Sequence, residues 1–139
     1  MIAPIIVGAP LTADFIVVVD DDAAVRDSLG ILLEAHGLQV RDFASGQEFL
    51  DSDVLHTAAC LVLDYHMPGM TGIDILEELR RLNLSYPTIL ITGLHDTMIT
   101  RRALSAGVMA ILEKPLPDDV LIDTVRIALR SNRRSSPAD

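Results

Sequence analysis

The chain alternates two kinds of apolar pattern. Short unbroken runs rich in β-branched residues recur at Phe15 to Val19 ("FIVVV"), Ala59 to Asp64 ("ACLVLD"), Thr88 to Thr92 ("TILIT") and Val108 to Leu112 ("VMAIL"). Such runs predict strands buried on both faces. Between them, apolar residues fall at helical spacing. Val25, Leu29, Leu32 and Leu33 line one face of a helix ending near His36 and Gly37, where glycine suits a left-handed cap. Leu38 to Phe43 ("LQVRDF") is shorter and more polar, which predicts an edge strand. Ser45 and Glu48 have the spacing of a capping box opening a short helix. The Pro and Gly content of Tyr65 to Gly72 ("YHMPGMTG") predicts a loop, and Ile73, Leu76 and Leu79 begin the next helix. Thr97 to Ala106 predicts a weaker helix closed by Gly107. Asp118 and Asp119, followed by Leu121, Val125 and Leu129, predict a final one.

Five strands alternating with five helices imply an α/β protein with a parallel sheet, and right-handed crossovers place helices on both of its faces. One domain is expected over residues 15–131, preceded by an extension at 1–14 and followed by a flexible tail or the start of a linker at 132–139. The extension is apolar, but Pro4 and Pro10 interrupt it and it lacks the basic region of a signal peptide. No apolar run reaches membrane-spanning length.

Composition narrows the function classes. Half of the 139 residues are hydrophobic but only 4% are aromatic, so the core must be aliphatic. Met67, Met70, Met98 and Met109 are read as packing residues. A formal net charge of −9 argues against nucleic acid or a membrane surface as a direct ligand. The basic run Arg130 to Arg134 is read as cations at a helix C-terminus. The single cysteine, Cys60, lies in an apolar run; it permits no disulfide within the chain and no cysteine-based zinc site, and suits a buried thiol in a cytoplasmic protein. His36, His56 and His95 are read as surface residues.

In a parallel α/β sheet the working site lies beyond the carboxyl ends of the strands. Those ends carry Asp20, Asp21 and Asp22 after the first strand, Asp64 on the third, Thr92 on the fourth, and Glu113, Lys114 and Pro115 after the fifth. Carboxylates brought that close cannot all stay ionised without compensation. Oxygen ligands of this kind suit Mg²⁺, which takes one or two carboxylates and keeps several waters. A metal, a hydroxyl and an ammonium could together hold a phosphoryl group, and a carboxylate can accept one as an aspartyl phosphate. Asp22 is expected to turn away from the others and start the next helix, as its N-cap or first-turn residue. Lys114 is the only lysine; the other ten basic residues are arginine. Its compact ammonium suits a single oxygen where a guanidinium fork would not. Pro115 restricts Lys114 to extended geometry and favours a cis peptide.

The segments "VVVDDD", "LVLDYHMPGMTG", "ILITG" and "ILEKP", in this order and each at a strand end, resemble the response-regulator receiver domains of the CheY-like superfamily. The "ITG" and "EKP" forms are most similar to FixJ- and NtrC-type receivers. The resemblance spans Phe15 to Arg130. It implies a doubly wound five-stranded sheet in the order 2-1-3-4-5, a flavodoxin-like fold. It implies Asp64 as the phosphoacceptor, with a histidine kinase or a small phosphodonor as donor. Mg²⁺ would be held by Asp20, Asp21, Asp64 and the backbone carbonyl of His66. Thr92 and Lys114 would hold phosphate oxygens. Phosphorylation would then reorganise the face formed by the fourth helix, the fifth strand and the fifth helix, which would engage an output domain, a target protein or a second copy. Such a domain is a phosphorylation-dependent signalling switch with slow self-dephosphorylation, not a turnover enzyme.

Three positions depart from the family's usual pattern. Ile111 stands where an aromatic side chain commonly swings inward on activation. His66 holds a position that commonly tunes dephosphorylation. Tyr65 follows the acceptor and could shield or open the pocket. Two other readings compete. Asp20 and Asp22 form a D-x-D pair like that of haloacid-dehalogenase-type phosphatases, although Ala23 and Ala24 replace the usual Gly-Thr. A receiver-like interaction module that is never phosphorylated is the other.

Overall fold

A computed structural model of the protein describes residues 15–93 and 96–134, with side chains described through 131. The expectations for the extension 1–14, for His95 and for residues 135–139 lie outside the described residues.

The chain runs β1 (Phe15–Val19), α1 (Ala23–Ala35), β2 (Gln39–Phe43), α2 (Gly46–Leu50), β3 (Ala58–Asp64), α3 (Gly72–Arg81), β4 (Thr88–Thr92), α4 (Thr97–Ser105), β5 (Ala110–Glu113) and α5 (Asp118–Arg134). The five strands are all parallel, in the order β2-β1-β3-β4-β5. The half-polar β2 is at an edge, as its composition predicts. Successive side chains of a strand point to opposite faces, so each apolar run feeds two cores. Val17, Val19, Leu61, Leu63 and Leu90 meet Phe49, Ile73, Ile75, Leu79, Ile99 and Ala103 from α2, α3 and α4. Ile16, Val18, Cys60, Val62, Ile89 and Ile91 meet Leu33 of α1 and Leu121, Ile122, Val125, Ala128 and Leu129 of α5. Burying a side chain of this size contributes roughly 1.5–3 kcal/mol. The two-sided sheet explains why the strands lack polar alternation.

Local punctuation follows the sequence closely. Asp22 caps α1, its Oδ1 accepting from the N–H groups of Ala24 (2.9 Å) and Val25 (3.3 Å). Gly37 and Gly107 follow the ends of α1 and α4 with φ of 81° and 89°, which only glycine adopts without steric cost. The Lys114–Pro115 peptide is cis. The basic run Arg130 to Arg134 lies in the last turns of α5.

Three local expectations need correction. Ser45 Oγ accepts from Glu48 N–H, but Glu48 Oε1 accepts from the N–H of Ala44 rather than Ser45, so the box is not reciprocal. The reciprocal capping box lies instead at Thr71 and Asp74, opening α3. Strand β5 starts at Ala110, not Val108. Val108 N–H is committed to Ala103 O at the end of α4, and Met109 N–H bonds Thr88 O as the chain enters the sheet. Finally, Met67 is buried and Met70 packs against the core, but Met98 is 64% exposed and Met109 sits at the surface. In α4 the core face is taken by Ile99 and Ala103, four apart, which turns Met98 outward.

Cys60 is fully buried, and burial pushes its thiol up to about 12. It should resist alkylation in the native protein and react fully once unfolded. Leu61→Ala should lower unfolding free energy by about 2–5 kcal/mol in urea titrations. Ile31→Ala, at a position 69% exposed, should change it by less than about 0.5 kcal/mol.

Candidate functional site

Parallel register builds the site in a staircase. Val19 of β1 pairs with Leu63 of β3, so the residues that follow, Asp20 and Asp64, emerge side by side. Asp64 pairs with Ile91, which places Thr92 one step further along β4. Thr92 pairs with Glu113, which places Lys114 one step further again. Lys114 N–H donates to Thr92 O at 2.9 Å, and Tyr65 N–H to Ile91 O at 2.8 Å. These bonds carry the sheet pairing into the loops that bear the site.

Ligand oxygens of Asp20, Asp21 and Asp64 all lie within 4.8 Å of one another. Asp20 and Asp64 are buried and Asp21 is exposed. Lys114 Nζ is 3.5 Å from Asp64 Oδ2. Asp64 Oδ1 accepts from the N–H of His66 at 3.2 Å. Thr92 is buried at the same edge, and its Oγ1 lies 3.1 Å from His66 Nε2. Five of the predicted residues therefore converge: Asp20, Asp21, Asp64, Thr92 and Lys114. The side chain of His66, which the sequence reading gave only a tuning role, reaches the same place. Its ring stacks edge-on against Tyr65, with centroids 4.8 Å apart and planes at 85°.

Asp22 is not in the cluster. Its carboxylate caps α1 while its N–H donates to Asp20 Oδ1 at 2.9 Å. The D-x-D pair is thus divided between the site and a helix cap, which removes the geometry the phosphatase reading needs.

The cluster carries an electrostatic cost. Burial raises the pKa of Asp20 above its ordinary 3.8, and Asp64 and Asp21 push it further up. The hydrogen bond from Asp22 N–H and the charge of Lys114 oppose that rise. An all-oxygen, net negative set with this spacing fits a hard divalent cation, which would replace the missing positive charge.

Two supporting residues were not legible in the sequence. Arg26 Nη1 donates to the carbonyl of Asp20 at 2.8 Å, and its Nε lies 3.5 Å from Asp42 Oδ2. It braces the loop after β1 from behind. No local pattern marks it, because its partners come from two strand ends. Gly72 starts α3 against the end of β3: a Cβ there would stand 2.7 Å from Leu90 Cδ1 and 3.0 Å from the carbonyl oxygen of Asp64. A glycine at this point lets α3 approach the strand that carries Asp64.

A parallel sheet of this order with acidic groups, a threonine and a lysine at its carboxyl edge has the architecture of a receiver domain. The sequence comparisons agree. The family model "Response regulator receiver domain" matches residues 16–126. Nodulation protein W of Bradyrhizobium diazoefficiens is 40% identical over 127 residues, covering 91% of this chain and 56% of that protein. The transcriptional regulatory protein FixJ of the same organism is 38% identical over 119 residues, covering 86% of this chain and 58% of that protein. A CheY-like response regulator receiver domain protein from Methanospirillum hungatei JF-1 superposes with a TM-score of 0.82 at 27% identity, covering 89% of this chain and 99% of that one. The chain belongs to the response-regulator receiver family of two-component signal transduction, and it spans a little over half the length of these two curated relatives. No helix among the described residues is long and apolar enough to cross a membrane.

Because the folded-state pKa of Asp20 is raised, the folded protein binds more protons than the unfolded chain between 3.8 and that higher value. Stability of the metal-free protein should therefore fall as pH rises through this window, and the penalty should persist above it. Asp20→Asn should raise the melting temperature in chelator by a few degrees at neutral pH. The gain should vanish below pH 3.8.

Proposed function

We propose that this domain accepts a phosphoryl group on Asp64 and uses it as a switch. The observation that carries the reading is the convergence on the Asp64 carboxylate of an ammonium 3.5 Å away and two further carboxylates within 4.8 Å. In the transfer, an Asp64 oxygen forms a bond to phosphorus as the donor's bond to phosphorus breaks. The donor is a histidine kinase phosphohistidine, whose imidazole leaves, or a small phosphodonor. The product is an aspartyl phosphate. Asp20, Asp21, Asp64 and the backbone carbonyl of His66 would hold Mg²⁺. When bound, Mg²⁺ supplies positive charge that offsets the carboxylates and the phosphoryl oxygens.

The chain's own groups have separate tasks. Lys114 orients the acceptor through Asp64 Oδ2 and offers its ammonium to a phosphoryl oxygen, as a point charge that needs no bidentate partner. Thr92 offers its hydroxyl to another phosphoryl oxygen. The N–H of His66 holds Asp64 Oδ1, which fixes the carboxylate rotamer before transfer. Arg26 and the Asp22 N–H keep Asp20 in place.

The output would leave through α4, β5 and α5. Among the described residues, five of the seven exposed large apolar side chains belong to these elements or to the turn entering β5: Met98, Leu104, Met109, Val120 and Ile127. That density of uncovered apolar surface supports docking of an output domain, a target protein or a second copy. The domain itself does not touch nucleic acid, in keeping with its net charge of −9.

Incubation with Mg²⁺ and a small phosphodonor should give a single phosphoryl adduct by intact mass. The adduct should disappear in Asp64→Ala and in chelator, and persist in Asp22→Ala. Retention in Asp64→Ala with loss in Asp22→Ala would overturn the assignment in favour of the phosphatase reading. No adduct with any donor and no binding of beryllofluoride would mark an interaction module that is never phosphorylated.

A further inference from the structure

His66 makes two contacts that no other residue of the site combines. Its backbone N–H donates to Asp64 Oδ1 at 3.2 Å. Its ring Nε2 lies 3.1 Å from Thr92 Oγ1. One residue thus ties the carboxylate proposed to receive the phosphoryl group to the hydroxyl proposed to follow it. Tyr65, edge-on to the imidazole at 4.8 Å, restricts where that ring can go. Ile111 of β5 is half-buried and packed on the apolar core. An aliphatic side chain offers neither a hydrogen bond nor a ring that could report the position of Thr92.

We propose that His66 is a positioning residue that holds the Thr92 hydroxyl away from the phosphoryl site until Asp64 is modified, so that the switch runs through the β3–α3 loop rather than through β5. The proposal rests on Asp64 being the phosphoacceptor. A threonine hydroxyl has one proton and one rotamer at a time. While it donates to the imidazole, its proton is committed to His66; to donate to a phosphoryl oxygen it must turn. The lock requires the tautomer that carries its proton on Nδ1, so that Thr92 donates its single proton to Nε2; that bond then competes with the Thr92–phosphoryl bond and biases the unmodified state. Modification of Asp64 acts on the same loop, because its carboxylate is the partner of the His66 N–H. The two contacts give a direct mechanical path from the acceptor to β4.

Beryllofluoride binding in saturating Mg²⁺, followed by NMR, tests this without turnover. His66→Ala should tighten beryllofluoride binding by about three- to tenfold, the range expected for losing one competing hydrogen bond. His66→Gln, whose amide can take the same partner, should return binding toward the wild-type value. In a Thr92→Val background the His66→Ala effect should vanish, since a cycle isolates the pair. In the metal-free protein, the imidazole nitrogen resonances of His66 should move in Thr92→Val while those of His36 and His56 do not. Equal binding by wild type and His66→Ala, weaker binding by His66→Ala, or an effect that survives in Thr92→Val would overturn the lock and leave the phosphoacceptor intact. A wild-type protein that binds no beryllofluoride would overturn both.

Discussion

The constraint on which the rest depends is like charge at a sheet edge. Register places Asp20 beside Asp64, neighbouring parallel strands being about 4.8 Å apart, and Asp21 completes a group of three within 4.8 Å. In a partly buried setting such repulsion is far larger than in water. Everything around the cluster reads as a response to it. Lys114 reaches back across β4 to Asp64. The N–H groups of Asp22 and His66 donate to the two buried carboxylates. Arg26 holds the Asp20 carbonyl. These groups are too few to neutralise three carboxylates, and that deficit makes the site receptive to a divalent cation.

The scaffold tolerates the deficit because it keeps the charges at one end. Ile16, Val18, Val17 and Val19 are buried on alternate faces of β1, and the polar residues begin only after the strand has finished. The same division holds for β3, where Asp64 is the last residue, and for β4, where Thr92 is. Helix starts handle the transition. Asp22 and Thr71 cap α1 and α3 within a few residues of the cluster, so the backbone turns sharply and its N–H groups are satisfied. Gly72 lets α3 begin in contact with β3. The pocket is thus a by-product of sheet termination, and its precision derives from two packed cores rather than from the loops themselves.

In this member of the receiver family, Thr92 meets a polar ring from the β3–α3 loop, that of His66, while Ile111 of β5 packs on the apolar core. In the proposed switch Thr92 would need two alternative sets of contacts to be bistable, and its polar contact comes from the loop that also holds the Asp64 carboxylate.

Much of this was legible in the sequence. The apolar runs of β1, β3 and β4 and the glycines after α1 and α4 specify their elements locally, through period and turn chemistry, and the order of charged residues at strand ends pointed to the site. The start of β5 and the partner of Glu48 were not legible, because they depend on which of two neighbouring N–H groups wins a hydrogen bond. The outward turn of Met98 was not legible either, since only the packing of Ile99 and Ala103 sets the phase of α4. The N-cap role of Asp22 was legible; tertiary structure alone decided that Arg26 of α1 joins the end of β1 to β2 and that the His66 ring meets Thr92. Sequence determines which groups are available at each strand end. Which of them touch is set by register and crossover geometry, because those contacts join residues far apart in the chain.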